Sequence, residues 1–305
     1  MELLDTVQVL IDDAPKRHRF LLSGSSARKL RRGQANLLPG RVNVHYLQPL
    51  LAAELGSEWS LERAIAHGSL PGVWAETDAS ARGEILRSYA DTYLREEVQA
   101  EALVRNLGGY ARLLDLLAAS SGRILNLHAL CGDAGLGFET ARRYVEVLED
   151  TLVLFRVPAW AGTPRASFIA HPKVYLFDIG VRNALLRRPL DESLDDERGL
   201  LVEHLVACEL HARMGMLWPE MALHHYRTRT GLEVDFVLSL PRELWGIEVK
   251  ASTRVERSDL KGLASLSDAF PRVKRKIVVF LGARPQRFDD VDVLPLEQFL
   301  AELPS

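Results

Sequence analysis

Four polar side chains toward the end of the chain have the types and spacing of a metal-dependent hydrolytic centre: Glu203, Asp235, Glu248 and Lys250. If segments 233–238 and 244–250 fold as a hairpin about the turn at Pro241 and Arg242, Asp235 lies opposite Glu248. Side chains alternate along a strand, so Glu233 and Asp235 share one face and Val234, Phe236 and Leu238 the other. Glu248 and Lys250 join the polar face and Trp245, Ile247 and Val249 the apolar one, so a single register sorts every residue. Directly opposed carboxylates repel. A Mg²⁺ ion would offset that repulsion, because it takes oxygen ligands and needs only one or two carboxylates beside water and phosphate. It would polarise a phosphoryl oxygen and lower the pKa of a bound water. Lys250 would orient that water or screen the phosphorane, and Glu203, from the preceding helix, would complete the cluster. The plainer alternative is a solvated, charge-paired strand face, since a lone Glu-x-Lys triplet carries little weight.

The elements that must position these residues form an α/β unit over 191–305: helix 199–214, strands 223–227, 233–238 and 244–250, helix 258–267, strand 276–281 and a terminal helix from Leu296. A charged stretch at 191–198 is the expected seam. Before it, 108–190 reads as short helices 111–119, 126–131 and 139–148 followed by strands 153–157 and 173–177, the pattern of a winged helix-turn-helix. By analogy with helix-turn-helix docking, Thr140, Arg142 and Arg143 would face a DNA groove. Such folds also serve as protein-interaction modules. Residues 61–107 read as a helical lid or connector broken by a loop at 68–72, with Gly108 and Gly109 as a boundary. The first 60 residues read as helix 3–11, a strand at Phe20–Leu22, a Ser-capped helix and a strand at 41–47, part of an open α/β sheet.

Hydrophobic residues at 47% and charged residues at 26% are the balance of a globular protein. No apolar run is long enough to cross a bilayer and no leader follows Met1, so no membrane partner and a cytoplasmic location are expected. Cys131 and Cys208 suggest neither a disulfide framework nor a zinc site. A net charge of -3 provides no overall attraction to nucleic acid. The basic runs Arg28–Arg32 and Arg272–Lys276 read as solvated faces. His204 and His211, seven residues apart, lack a third nearby ligand, and His224 and His225 point to opposite faces of a strand.

The run Gly231-Leu-Glu-Val-Asp-Phe-Val-Leu, with Gly246-Ile-Glu-Val-Lys-Ala-Ser after it, resembles the C-terminal PD-(D/E)XK nuclease-like part of bacterial and archaeal AAA-type ATPases carrying the domain of unknown function 4143. Val293-Leu-Pro-Leu, Leu21-Leu-Ser-Gly-Ser-Ser-Ala-Arg-Lys-Leu, Asn36-Leu-Leu-Pro-Gly-Arg and Lys173-Val-Tyr-Leu-Phe-Asp-Ile-Gly are similar to segments spaced along that family. The resemblance implies an α/β protein with four parts: a partial AAA-type core (1–60), a helical lid (61–107), a winged helix (108–190) and a PD-(D/E)XK nuclease-like domain (191–305). It places nuclease-type roles on Glu203, Asp235, Glu248 and Lys250, with Mg²⁺ on the three carboxylates. It also implies a vestigial nucleotide site at Ser25, Ser26 and Arg41. The family's phosphate-binding loop has no counterpart here: Gly132-Asp-Ala-Gly-Leu-Gly-Phe-Glu-Thr has the glycines, but Phe138 and Glu139 stand where Lys and Ser or Thr are required. That run reads as a turn between helices. Met1 is then expected to fall inside the ATPase domain, and ATP to be a ligand only with the missing loop supplied. Three functions follow: Mg²⁺-dependent phosphodiester hydrolysis on DNA, a non-catalytic nucleic-acid or protein interaction module, or a piece of an ATP-hydrolysing protein. A homo-oligomer is a further partner the resemblance allows.

Overall fold

The computed structural model describes residues 3–14, 17–23, 45–93, 106–160, 171–188, 194–216 and 220–303. Among them the chain is a mixed α/β protein with twelve α-helices, one three-stranded sheet and one six-stranded mixed sheet. No helix among the described residues is long and apolar enough to cross a membrane.

The larger sheet is built from β4 (Ala222–Arg227), β5 (Glu233–Ser239), β6 (Leu244–Lys250), β7 (Val273–Phe280), β8 (Gln286–Phe288) and β9 (Val291–Pro295), in the order β4-β5-β6-β7-β9-β8. β4, β5 and β6 run antiparallel in turn, whereas β6, β7 and β9 are parallel. Parallel neighbours need a crossover, and helix α11 (Lys261–Ala269) supplies it between β6 and β7. Helices α10 (Arg198–Met216) and α12 (Leu296–Glu302) cover the opposite face. The central strands are therefore buried on both sides: Phe236, Ile247, Ile277 and Val279 pack with Leu201, Leu205 and Phe299, while Val237, Leu244 and Val278 pack with Leu263 and Leu266. This explains the apolar run Ile277–Phe280 in the second half of β7. At Gly262 any Cβ would collide with the carbonyl of Glu233, so α11 can start against the end of β5 only because that position has no side chain.

The smaller sheet has the order β1-β3-β2, from β1 (Arg123–Ile124), β2 (Leu154–Val157) and β3 (Lys173–Leu176), all antiparallel. Helices α6 (Leu107–Ala119), α7 (Leu127–Asp133) and α8 (Phe138–Asp150) pack on it. Asn106 and Asn126 cap α6 and α7 by accepting the backbone N–H of Gly109 (2.9 Å) and Ala129 (3.2 Å). Helix α8 buries Ala141, Tyr144, Val145 and Leu148, one face at helical spacing. The glycine-rich run is the turn into α8, with Gly135 at φ +66°.

The two sheets share a core. Val174 and Leu176 of β3 pack among α6 and α8, whereas Tyr175 packs with α10 and Phe236. Backbone hydrogen bonds from Trp160 to His225 (2.6 Å) and from His225 to Pro158 (2.9 Å) also join the chain after β2 to β4. Helices α2 (Ala52–Leu55), α3 (Leu61–His67), α4 (Pro71–Ala75) and α5 (Ala79–Ser88) flank this junction, and α9 (Ile179–Leu185) docks on α3. There the Asn183 amide donates to the carbonyls of Ile65 (2.9 Å) and Ala66 (3.0 Å).

Several expectations need correction. Residues 20–22 and 45–47 form no strand, and Leu21 and Leu47 are 98% and 90% exposed; an apolar run becomes a strand only where a partner completes its ladder. Gly108 and Gly109 lie in the first turn of α6 and not in a loop. The strands β8 and β9 were not expected from sequence. Helix α1 (Leu3–Asp13) is present where its spacing placed it.

Candidate functional site

The β5–β6 ladder runs from Ser239↔Leu244 to Phe236↔Ile247, so the turn falls at Pro241 and Arg242 as the hydrophobic pattern requires. Beyond Phe236 the backbone ladder stops, and the Asp235 side chain takes over. Its Oδ2 accepts the N–H of Val249 at 2.9 Å. A bulge explains the change: His224 pairs with Val237 but Tyr226 with Val234, so β5 carries one residue more than β4 across that stretch. Bulges re-aim side chains. Val234 consequently packs with Tyr226 and Leu263 rather than sharing a face with Phe236 and Leu238, which corrects strict alternation at this point.

The other Asp235 oxygen, Oδ1, lies 3.3 Å from Nζ of Lys173. That ammonium also donates to Oε1 of Glu203 at 2.7 Å, and the same oxygen accepts from the Tyr175 hydroxyl at 2.6 Å. Glu203 comes from α10, Asp235 from β5, and Lys173 and Tyr175 from β3 of the smaller sheet. The Lys173 side chain is only 8% exposed. Glu248 is buried as well: its Oε1 accepts from Lys250 at 2.9 Å, while its Oε2 is buried without a hydrogen-bond partner. Lys250 reaches Asp259 at 3.8 Å on its far side.

Burial followed by repulsion from Asp235 pushes the Glu203 carboxyl up to about 7 and the Glu248 carboxyl up to about 8. Burial alone would lower the Lys173 ammonium, but Asp235 and Glu203 more than offset it and hold it above its ordinary range. Burial lowers Lys250 too, and Glu248 outweighs that. The cluster thus sets Glu203, Asp235 and Glu248 against the two ammonium groups of Lys173 and Lys250.

All four expected residues gather at one end of the β5–β6 pair. Lys173 and Tyr175 were missed. Their signal was the alternation Lys173-Val-Tyr175-Leu, which sends both polar groups to one side of a strand whose residues are all buried. A hard divalent cation would need the carboxylate oxygens of Glu203 and Asp235. Both are engaged by the Lys173 ammonium, and among the described residues no group of three His, Cys, Asp or Glu side chains could hold a metal ion. In this arrangement a cation would have to compete with that ammonium for one oxygen of each carboxylate.

The chain is similar to two families whose models match adjoining parts of it. Residues 58–192 match the family described as Domain of unknown function (DUF8612), and residues 198–299 match Domain of unknown function (DUF4143). An uncharacterized protein of Mycobacterium bovis and one of Mycobacterium tuberculosis are each 26% identical over 313 residues, covering 98% of this chain and 67% of theirs. No solved structure matches the chain.

The remaining expected residues lie apart from the cluster. Thr140, Arg142 and Arg143 are on α8, where Arg142 is held by Glu139 and Glu146, each at 2.8 Å. Ser25, Ser26 and Arg41 lie outside the described residues. The histidines hold structure rather than converge: His204 lies 2.6 Å from the Leu176 carbonyl, and His211 stacks on Phe155 with ring centroids 4.0 Å apart.

Proposed function

We propose that the chain is a non-cleaving interaction module of an AAA-type ATPase-family protein. In this reading a winged-helix unit and a PD-(D/E)XK nuclease-like unit act as one body that docks a protein partner. The order α10-β4-β5-β6-α11-β7, with β7 parallel to β6, supports the nuclease-like assignment. The order α6-β1-α7-α8-β2-β3, with β3 central in its sheet, supports the winged helix. The AAA-type membership, and ATP as its nucleotide, rest on the resemblance of segments 21–30, 36–41 and 173–180.

One observation carries the non-cleaving reading: the Lys173 ammonium sits against both Glu203 and Asp235, so the repulsion that would recruit Mg²⁺ is already answered from within. A protein partner is favoured over DNA because Arg142 is neutralised by two glutamates and Arg156 engages Glu149 of the same helix at 2.5 Å. Phosphate binding needs free cations.

The test is a nicking assay on plasmid and single-stranded DNA with Mg²⁺ or Mn²⁺, run beside a gel-shift titration. The wild type is expected to cleave no faster than Asp235→Ala or Glu248→Ala and to show no tight, salt-dependent shift. Cleavage abolished by those substitutions would establish the second reading, Mg²⁺-dependent phosphodiester hydrolysis. The buried, unpartnered Oε2 of Glu248 beside Lys250 favours that alternative.

A further inference from the structure

Lys173 is the charge that the smaller sheet brings to the cluster, with Tyr175 beside it on the same strand; Glu203, Asp235, Glu248 and Lys250 all belong to α10 or the larger sheet. A lysine this enclosed needs compensation, because taking an ammonium out of water is costly unless it is paired and hydrogen-bonded. It has two carboxylates, at 2.7 and 3.3 Å, while Tyr175 from the same strand bonds the nearer one at 2.6 Å. Those carboxylates in turn have few other partners, and Asp235 relies on the Val249 N–H for its second oxygen. The free Oε2 of Glu248 shows that the pocket still holds acceptor capacity that its own residues leave unused.

We infer that Lys173 is the cluster's resident counter-ion: it excludes divalent cations from Glu203 and Asp235 and clasps the smaller sheet to the larger one. This rests on the proposed non-cleaving reading and explains it by a single side chain. An ammonium seated between Glu203 and Asp235 already neutralises much of the negative charge that would draw a divalent ion there, so removing it should admit the ion. The charge-preserving Lys173→Arg keeps ions out, whereas the neutral, similarly long Lys173→Met leaves a buried acidic pair that a metal can bridge.

Mn²⁺ alone, followed by electron paramagnetic resonance and by thermal melts of the full chain, is the probe. Lys173→Met should bind Mn²⁺ at least about tenfold more tightly than wild type and melt higher when it is added. Lys173→Arg should behave as wild type, and Lys173→Met with Asp235→Asn should lose the gain. If Lys173→Met does not fold alone, the charge-free pair Lys173→Met/Glu203→Gln should fold. Equal Mn²⁺ binding by wild type and Lys173→Met, a folded Lys173→Met that ignores Mn²⁺, or failure of both Lys173→Met and the charge-free pair to fold would each overturn the inference. Nicking by the wild type would instead defeat the non-cleaving reading, and Mn²⁺ binding would still decide the role of Lys173.

Discussion

Helix α10 carries two carboxylates, Glu209 buried and Glu203 half-buried, whose charges are met in different ways. Near its middle, Glu209 is paired with Arg213 one turn later, and its Oε1 also accepts the backbone N–H of Ala52 at 2.8 Å. Closer to the start, Glu203 is paired with Lys173, which lies thirty residues earlier on a strand of the other sheet. The first pair is local and forms whenever the helix forms. The second exists only when β3 has docked on α10, so it contributes to the contact between the two sheets as well as to the stability of one. The same side-chain chemistry thus acts as an internal brace in one place and as a clasp in the other.

The largest effect is expected at the local pair. Arg213→Ala strands Glu209 in the core and should cost about 3–5 kcal/mol in chemical denaturation, the range for a buried pair that loses one partner. Lys173→Ala should cost about 3 kcal/mol by the same logic, slightly less because the Glu203 side chain is 18% exposed. Only Lys173→Ala should separate the two sheets' unfolding, seen as faster amide exchange in β3 while β5–β7 stay protected. Equal loosening of both sheets by Arg213→Ala would erase the distinction between brace and clasp. Gly262→Ala follows at about 1–3 kcal/mol, since a Cβ there forces α11 off the Glu233 carbonyl.

The pH dependence separates the cluster from the rest of the core. His67, His204, His211 and His225 are held near 4, below the ordinary 6.5, chiefly by burial. For a depressed histidine the stabilising share is present above 6.5 and is lost as pH falls through about 4. Glu248, raised from 4.5 to about 8, acts the other way: its share is full below 4.5 and is lost as pH rises through 8. The melting temperature should therefore peak near neutrality. Glu248→Gln should flatten the alkaline decline and leave the acid limb untouched; an unchanged alkaline limb would show that Glu248 does not titrate there. The smallest effect is expected at Arg142→Ala, whose ion pairs are exposed. Its stability and any DNA affinity should match wild type within error, and a clear loss of DNA binding would restore α8 as a DNA reader.

Much of the larger sheet was legible beforehand because its signals are local. The turn at Pro241 and Arg242, with apolar residues at period two on either side, admits one register, and β5 and β6 adopt it. The three helices 107–150 followed their 3.6-residue spacing, and asparagines cap the first two of them. What failed depended on neighbours. Phe20–Leu22 has the composition of a strand but no described partner, and Val234 follows the alternation of β5 only as far as a bulge set by its pairing with β4.

By itself, the amino-acid order determined which residues are acidic, which strands pair in the hairpin, and that Glu203, Asp235, Glu248 and Lys250 would converge on one end of it. Only the tertiary structure decided which cation meets them. Lys173 is far from those carboxylates along the chain and belongs to a different sheet, and charges are compensated by whatever lies within a few ångströms, a distance that folding sets and sequence spacing does not.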